Sequence, residues 1–164
     1  MFGFGKSKED KADDKKGEPL KFHPELVDQL KVLQDEIYSD YHALNQALTE
    51  HETSSLESLL VAFKKNWHTY LMEKNVRLFS FLKHGAELSS QHTMDVNGAR
   101  AKNTQLSRDL NRFIFDNLIE GKLDLSSLDI EKFTRRLNNL GTDLVETMRH
   151  ERKVLFPIYL KAGE

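Results

Sequence analysis

The stretch LVDQLKVLQDEIYSDYHALNQAL, residues 26–48, decides the fold. Its apolar side chains recur at alternating spacings of three and four residues, which is the period of one face of an α-helix. This face comprises Leu26, Leu30, Leu33, Ile37, Tyr41, Leu44 and Leu48. Proline, which removes a backbone donor and breaks helices, is absent between Pro24 and Pro157. The sequence therefore predicts long helices throughout this interval.

Three further segments carry the same period, from about residue 54 to 85, from about 94 to 120, and from about 126 to 158. The first of these segments, the predicted second helix, opens with Ser54-Ser55-Leu56-Glu57, which has the spacing of a capping box. We expect residues 85–93 to form a polar connection between the second and third helices, either irregular or partly helical. Short connections between helices of similar length favour antiparallel neighbours. The predicted fold is all-α, an up-down-up-down antiparallel four-helix bundle.

The first 22 residues, MFGFGKSKEDKADDKKGEPLKF, differ in character from the rest of the chain. They are dense in charged residues and have no apolar period, which predicts a disordered N-terminal tail. The domain division is therefore a tail over 1–22 and a bundle over 23–164.

Composition excludes several classes of function. The chain of 164 residues contains no cysteine, which excludes disulfide scaffolds, thiolate zinc sites and iron–sulfur clusters. Its formal net charge of −2 gives no general field that would attract nucleic acid. No apolar run is long enough to span a bilayer, so we expect no stable membrane anchoring.

Two charged residues fall on inward faces of the predicted helices. Lys74 lies four residues after Tyr70 and four before Leu78, and Glu151 precedes Leu155 by four. Buried charges must be paired, because isolated burial costs several kcal/mol.

One hypothesis is therefore a Lys74–Glu151 ion pair, with hydrogen bonds from Tyr70, Gln34 and Thr147. The alternative is that the helical phase drifts and both charged side chains reach the edge of the bundle.

The seven histidines do not fall on the inward faces. His42, His68 and His150 each lie one position, or about 100°, from a core residue, and the others lie near helix ends. A bundle metal site needs histidine and carboxylate side chains that point inward together. The sequence therefore predicts no metal site, and it shows no catalytic constellation.

Gly141, within the fourth helix, indicates either a close helix–helix approach or a local kink.

A family pattern is carried by MRHERKVLFP at 148–157, EKNVRLFSFL at 73–82 and PELVDQLK at 24–31. These stretches resemble the fourth, the second and the start of the first helix of bacterial hemerythrin-like (HHE cation-binding) domains. The resemblance covers about residues 23–160. It implies a four-helix bundle in which histidine and carboxylate side chains bind two irons.

The same resemblance implies that most iron ligands have been replaced. The matching positions hold Gln34 on helix 1, Tyr70 and Lys74 on helix 2, Thr147 and Glu151 or Arg152 on helix 4, and Asn103, Ser107 and Arg108 on helix 3. A lysine at a ligand position supplies positive charge where a metal ion would lie. The resemblance thus implies a degenerate site without a cofactor, and di-iron only if the family's function is retained.

A second pattern is LNNLGTDL at 137–144 followed by ERKVL at 151–155. It resembles the last helix of the regulator-of-sigma-D family, whose members are four-helix anti-sigma proteins without metal. The functional expectation is a non-enzymatic regulatory or interaction protein of the bacterial cytoplasm with a protein partner, such as a signalling protein. The alternatives are an anti-sigma regulator that binds a sigma factor, and an active iron-binding hemerythrin-like protein.

Overall fold

The computed structural model describes residues 20–164, and residues 1–19 of the predicted tail lie outside it. Four long helices account for most of the described chain. They are α1 (Leu26–Thr49), α2 (56–85), α3 (Ser90–Asn117) and α4 (130–162). Within residues 20–164, β-structure is limited to one isolated bridge between Ile119 and Lys122. The predicted all-α fold is confirmed.

Neighbouring helices run antiparallel, as their cross-helix contacts show. Between two antiparallel helices, the contacted residue number falls on one helix as it rises on the other, and between α3 and α4 Lys102 lies beside Thr147 whereas Phe113 lies beside Phe133. The pairs are Gln34–Tyr70 and Asp40–Asn66 between α1 and α2, Gln34–Glu151 and Tyr41–Asn138 between α1 and α4, and Phe113–Phe133 between α3 and α4. The four inward faces enclose one apolar core. The predicted four-helix bundle is therefore present.

Gly141 marks a close approach of α1 to α4. A Cβ atom added at Gly141 would overlap the ring of Tyr41. The α-helix Ile130–His150 continues through this position without interruption. A close approach, and not a kink, therefore explains the glycine.

Two predicted helix starts are wrong in detail. α3 begins at Ser90, because the Ser89 side chain caps it by accepting a hydrogen bond from the His92 backbone N–H. The connection before it is therefore shorter than predicted. The capping box of α2 does not form, since the Glu57 carboxylate instead accepts from the backbone N–H of Leu123, at 2.8 Å.

α2 and α4 both change their winding near the middle of the bundle. α2 is α-helical over Leu56–Glu73 and then π-helical over Lys74–Phe79 and Phe81–Gly85. α4 is α-helical over Ile130–His150, π-helical over Glu151–Leu155 and α-helical again over Phe156–Ala162. Lys74 and Glu151 are thus each the first residue of a π-helical segment, a feature that is frequent at functional sites.

The end of the bundle near the C-terminus is closed by aromatic rings. Phe22 stacks on Tyr159 with ring centroids 4.9 Å apart, and Phe81 packs on both. Phe22 therefore belongs to the packed bundle, although the sequence had placed it in the tail and predicted a bundle that begins at residue 23. In the part of the chain that the structure describes, no helix is both long and apolar enough to cross a membrane.

Candidate functional site

Each of the four helices contributes one buried polar residue to the centre of the bundle. They are Gln34 on α1, Lys74 on α2, Asn103 on α3 and Glu151 on α4, and all are at most 3% exposed. Tyr70, one turn before Lys74, is fully buried beside them. These five residues are called the interior cluster below.

Lys74 is the cation of the interior cluster. Its Nζ donates to Glu151 Oε2 at 2.7 Å and to Asn103 Oδ1 at 2.5 Å. The same Nζ lies 4.3 Å from the ring centroid of Tyr70 and 5.9 Å from that of Trp67. The ammonium group therefore has two oxygen acceptors and an aromatic face in place of water. The ion pair proposed from the inward faces is present in the structure.

Glu151 uses both of its carboxylate oxygens. While Oε2 accepts from Lys74, Oε1 accepts from the hydroxyl of Tyr70 at 2.5 Å and lies 3.5 Å from Gln34 Nε2. A buried carboxylate is tolerated when its charge and its remaining lone pairs are satisfied in this way. The cluster is therefore a matched ion pair within a hydrogen-bonded network.

Burial shifts the proton affinity of two members in opposite directions. Burial raises the pKa of Tyr70 well above its usual value, and the negative charge of Glu151 raises it further. Burial also lowers the pKa of Lys74, although Glu151 opposes that shift. Both shifts have the same cause, because burial disfavours whichever form carries charge. Tyr70 is consequently held as a neutral hydroxyl that donates to Glu151.

Gln34 joins the interior cluster to the surface. Its Nε2 donates to the Tyr70 hydroxyl at 2.7 Å, while its Oε1 accepts from Arg152 Nε at 2.5 Å. Arg152 is exposed and forms a 2.7 Å ion pair with Asp35. A continuous set of hydrogen bonds thus connects Asp35 on the surface with Lys74 in the interior.

Thr147 does not join the interior cluster, which corrects the expectation from the sequence. It is half-buried and lines a groove between α3 and α4 with Lys102 and Leu106. The inward residue is the next one, Met148, whose backbone carbonyl accepts from Gln34 Nε2 at 3.3 Å. Thr147 therefore lies one residue, or about 100° around the helix axis, from the inward-facing position.

Asn103 and Arg152 complete the network, and the sequence hypothesis of the ion pair had included neither. Asn103 follows Ala99 by four residues and precedes Leu106 by three, so its inward position could be read from the helical period. Arg152 has no such signal, because it is an exposed residue whose long side chain reaches back to the interior.

The described residues do not bring together the side chains that a metal ion needs as ligands. Over residues 20–164, no group of three or more His, Cys, Asp or Glu side chains is placed to hold one. Within the interior cluster, Glu151 is the one carboxylate, and both of its oxygens already accept hydrogen bonds. The mid-helix residues His42 and His68 are exposed and His150 is half-buried, outside this cluster.

Comparison of the chain with protein-family models, with curated proteins and with solved structures finds no match.

Proposed function

We propose that the protein is a non-enzymatic, hemerythrin-like helical bundle that acts as a regulatory or interaction module in the bacterial cytoplasm. In this proposal the di-iron site has been replaced by the interior cluster. The observation that carries it is the placement of Lys74 Nζ between Glu151 and Asn103, at 2.7 and 2.5 Å. The Lys74 side chain supplies a positive charge beside Glu151, where a metal ion would otherwise be needed.

The chemistry of the cluster supports this proposal. Bundle di-iron centres use several carboxylates together with histidines from facing helices, whose ligating atoms must be free of protons. Here the corresponding groups are a carboxamide, a hydroxyl, an ammonium and a second carboxamide, with one carboxylate. The ammonium both repels a metal ion and satisfies Glu151. In this proposal Glu151 has a counterion without a metal.

Metal analysis of the purified full chain tests this proposal. After expression in iron-supplemented medium, we expect far less than one iron per chain, and an unchanged thermal midpoint when a chelator is added. Near-stoichiometric iron, with the absorption of a bridged di-iron centre, would favour the alternative of an active iron-binding protein.

A second candidate function is an anti-sigma regulator. It is favoured by the resemblance of 137–144 and 151–155 to the regulator-of-sigma-D family, whose bundles also lack metal. The test is direct binding of the purified chain to the primary sigma factor of the same bacterium, measured by calorimetry. Saturable one-to-one binding would select this function, whereas no binding at micromolar concentrations would reject it.

A further inference from the structure

A small groove, lined by both apolar and charged side chains, lies between α1 and α4, directly outside the interior cluster. Asp35, Tyr38, Arg149 and Arg152 line it at the surface, and the buried Gln34 and Met148 line it toward the interior. Its volume is about 220 Å³. Two arginines, one aspartate and an aromatic ring therefore line the same small space.

Arg152 is already held in place for binding. Its Nε donates to Gln34 Oε1, and its Nη2 donates to the Lys31 carbonyl at 3.1 Å and to Asp35 at 2.7 Å. Gln34 is in turn held by Tyr70, at 2.7 Å. A guanidinium that is fixed in this way loses little conformational freedom when it binds a ligand.

The carboxylate that Arg152 now holds is easily exchanged. The Asp35 side chain is 76% exposed, and ion pairs at exposed sites are weak. Arg149 lies one turn earlier on α4 and, among the described residues, has neither an ion pair nor a hydrogen bond from its side chain. The groove thus presents two guanidinium groups against one weakly held carboxylate, which favours an additional anion.

The lining defines the kind of anion. Guanidinium groups can donate paired hydrogen bonds to a carboxylate, and Arg152 already donates one hydrogen bond to the Asp35 carboxylate at this position. Tyr38 and Val145 add an apolar wall beside the charges. We propose that this groove binds an acidic side chain of a partner protein, with an apolar residue of the same segment packed against Tyr38. The inference rests on the proposed interaction function and names the partner's chemistry.

A peptide titration of the full chain tests the groove. The probe is acetyl-Leu-Glu-Glu-Leu-amide, followed through the Nε–H signals of the arginines in ¹⁵N-labelled protein. We expect saturable shifts of the Arg149 and Arg152 signals, and no such shifts with acetyl-Leu-Gln-Gln-Leu-amide. Equal shifts with the glutamine peptide, or an absence of shifts at millimolar glutamate peptide, would overturn the proposal.

Exposed-residue variants sharpen the test without disturbing the core. Arg149→Gln should weaken binding of the glutamate peptide about threefold, and Asp35→Asn should strengthen it by removing the internal competitor. Arg135→Gln, at an exposed position of α4 outside the groove, is the matched control and should change nothing. An equal effect of Arg135→Gln would show attraction by surface charge alone.

Two further measurements distinguish peptide binding from general anion binding, and the groove proposal from the proposed function. Inorganic phosphate that shifts the same two arginine signals as strongly as the glutamate peptide would show a general anion site and overturn the peptide assignment. The iron content of the same preparation tests the proposed function independently. An iron-free chain that ignores the glutamate peptide would therefore reject the groove and leave the proposed function standing.

Discussion

The interior cluster and the apolar half of the bundle are equally buried but are stabilised in different ways. The apolar half, beyond Tyr41 on α1, is filled by side chains such as Leu60, Phe63, Phe113 and Phe133. There the rings of Phe113 and Phe133 pack at 5.1 Å, and burial itself stabilises the fold. In the interior cluster, burial is unfavourable and each polar group depends on a partner. The two regions should therefore respond differently to the loss of one group.

The largest expected effect is that of breaking the ion pair from one side. Glu151→Gln removes a negative charge and leaves the ammonium of Lys74 buried without its counterion. We expect the free energy of unfolding, measured with denaturant, to fall by about 3–5 kcal/mol. The matched control is Glu146→Gln, at an exposed position of the same helix, which should stay within about 0.5 kcal/mol of the native chain. A change in Glu151→Gln no larger than in this control would show that the pair is not a coupled buried unit.

Removing both charges together should cost much less than removing one. In Lys74→Met/Glu151→Leu the buried charges are gone, and the Tyr70 hydroxyl keeps Gln34 as a partner. We expect this double variant to lie within about 2 kcal/mol of the native chain and above either single variant. In the apolar half, by contrast, the effects of two truncations at well-separated sites should add. A double variant less stable than both singles would mean that the interior cluster behaves like ordinary core packing.

The helical period predicted much of both regions, because it depends on which face of a helix is buried. It placed Leu30, Ile37, Lys74 and Glu151 inward, and these residues are buried. Thr147 was misplaced because it lies one residue before the inward Met148. The π-helical segments that begin at Lys74 and Glu151 had no signal in the pattern, since they alter the winding without altering the order of residue types.

The pH dependence of stability distinguishes the interior cluster from the buried side chains of the apolar half, which among the described residues include no charged group. The pKa of Tyr70 is higher in the folded chain than its unfolded value of 10.0. The unfolded chain therefore loses this proton first, and stability falls as pH rises above about 10, by at most about 1.4 kcal/mol per pH unit.

Tyr70→Phe isolates this contribution. Lys74, whose pKa is lowered by burial, has the opposite dependence, but it is present in both proteins. Denaturant unfolding between pH 9 and 11 should therefore show a steeper decline for the native chain than for Tyr70→Phe. Parallel curves for the two proteins would contradict the raised pKa.

The smallest expected effect tests packing outside the interior cluster, at Gly141. Alanine there would overlap the ring of Tyr41, so Gly141→Ala should destabilise the bundle by about 1 kcal/mol as that half-buried ring moves aside. In a Tyr41→Ala background the overlap is absent, and the same substitution should stabilise by about 1 kcal/mol, since alanine is the better helix former. A reversal of sign between the two backgrounds, measured by thermal unfolding, would show that space alone selects glycine here. If Gly141→Ala changes stability in the same direction in both backgrounds, the backbone of α4, and not the space beside Tyr41, selects glycine. The contrast between packing limited by volume at Gly141 and packing limited by charge in the interior cluster would then be lost.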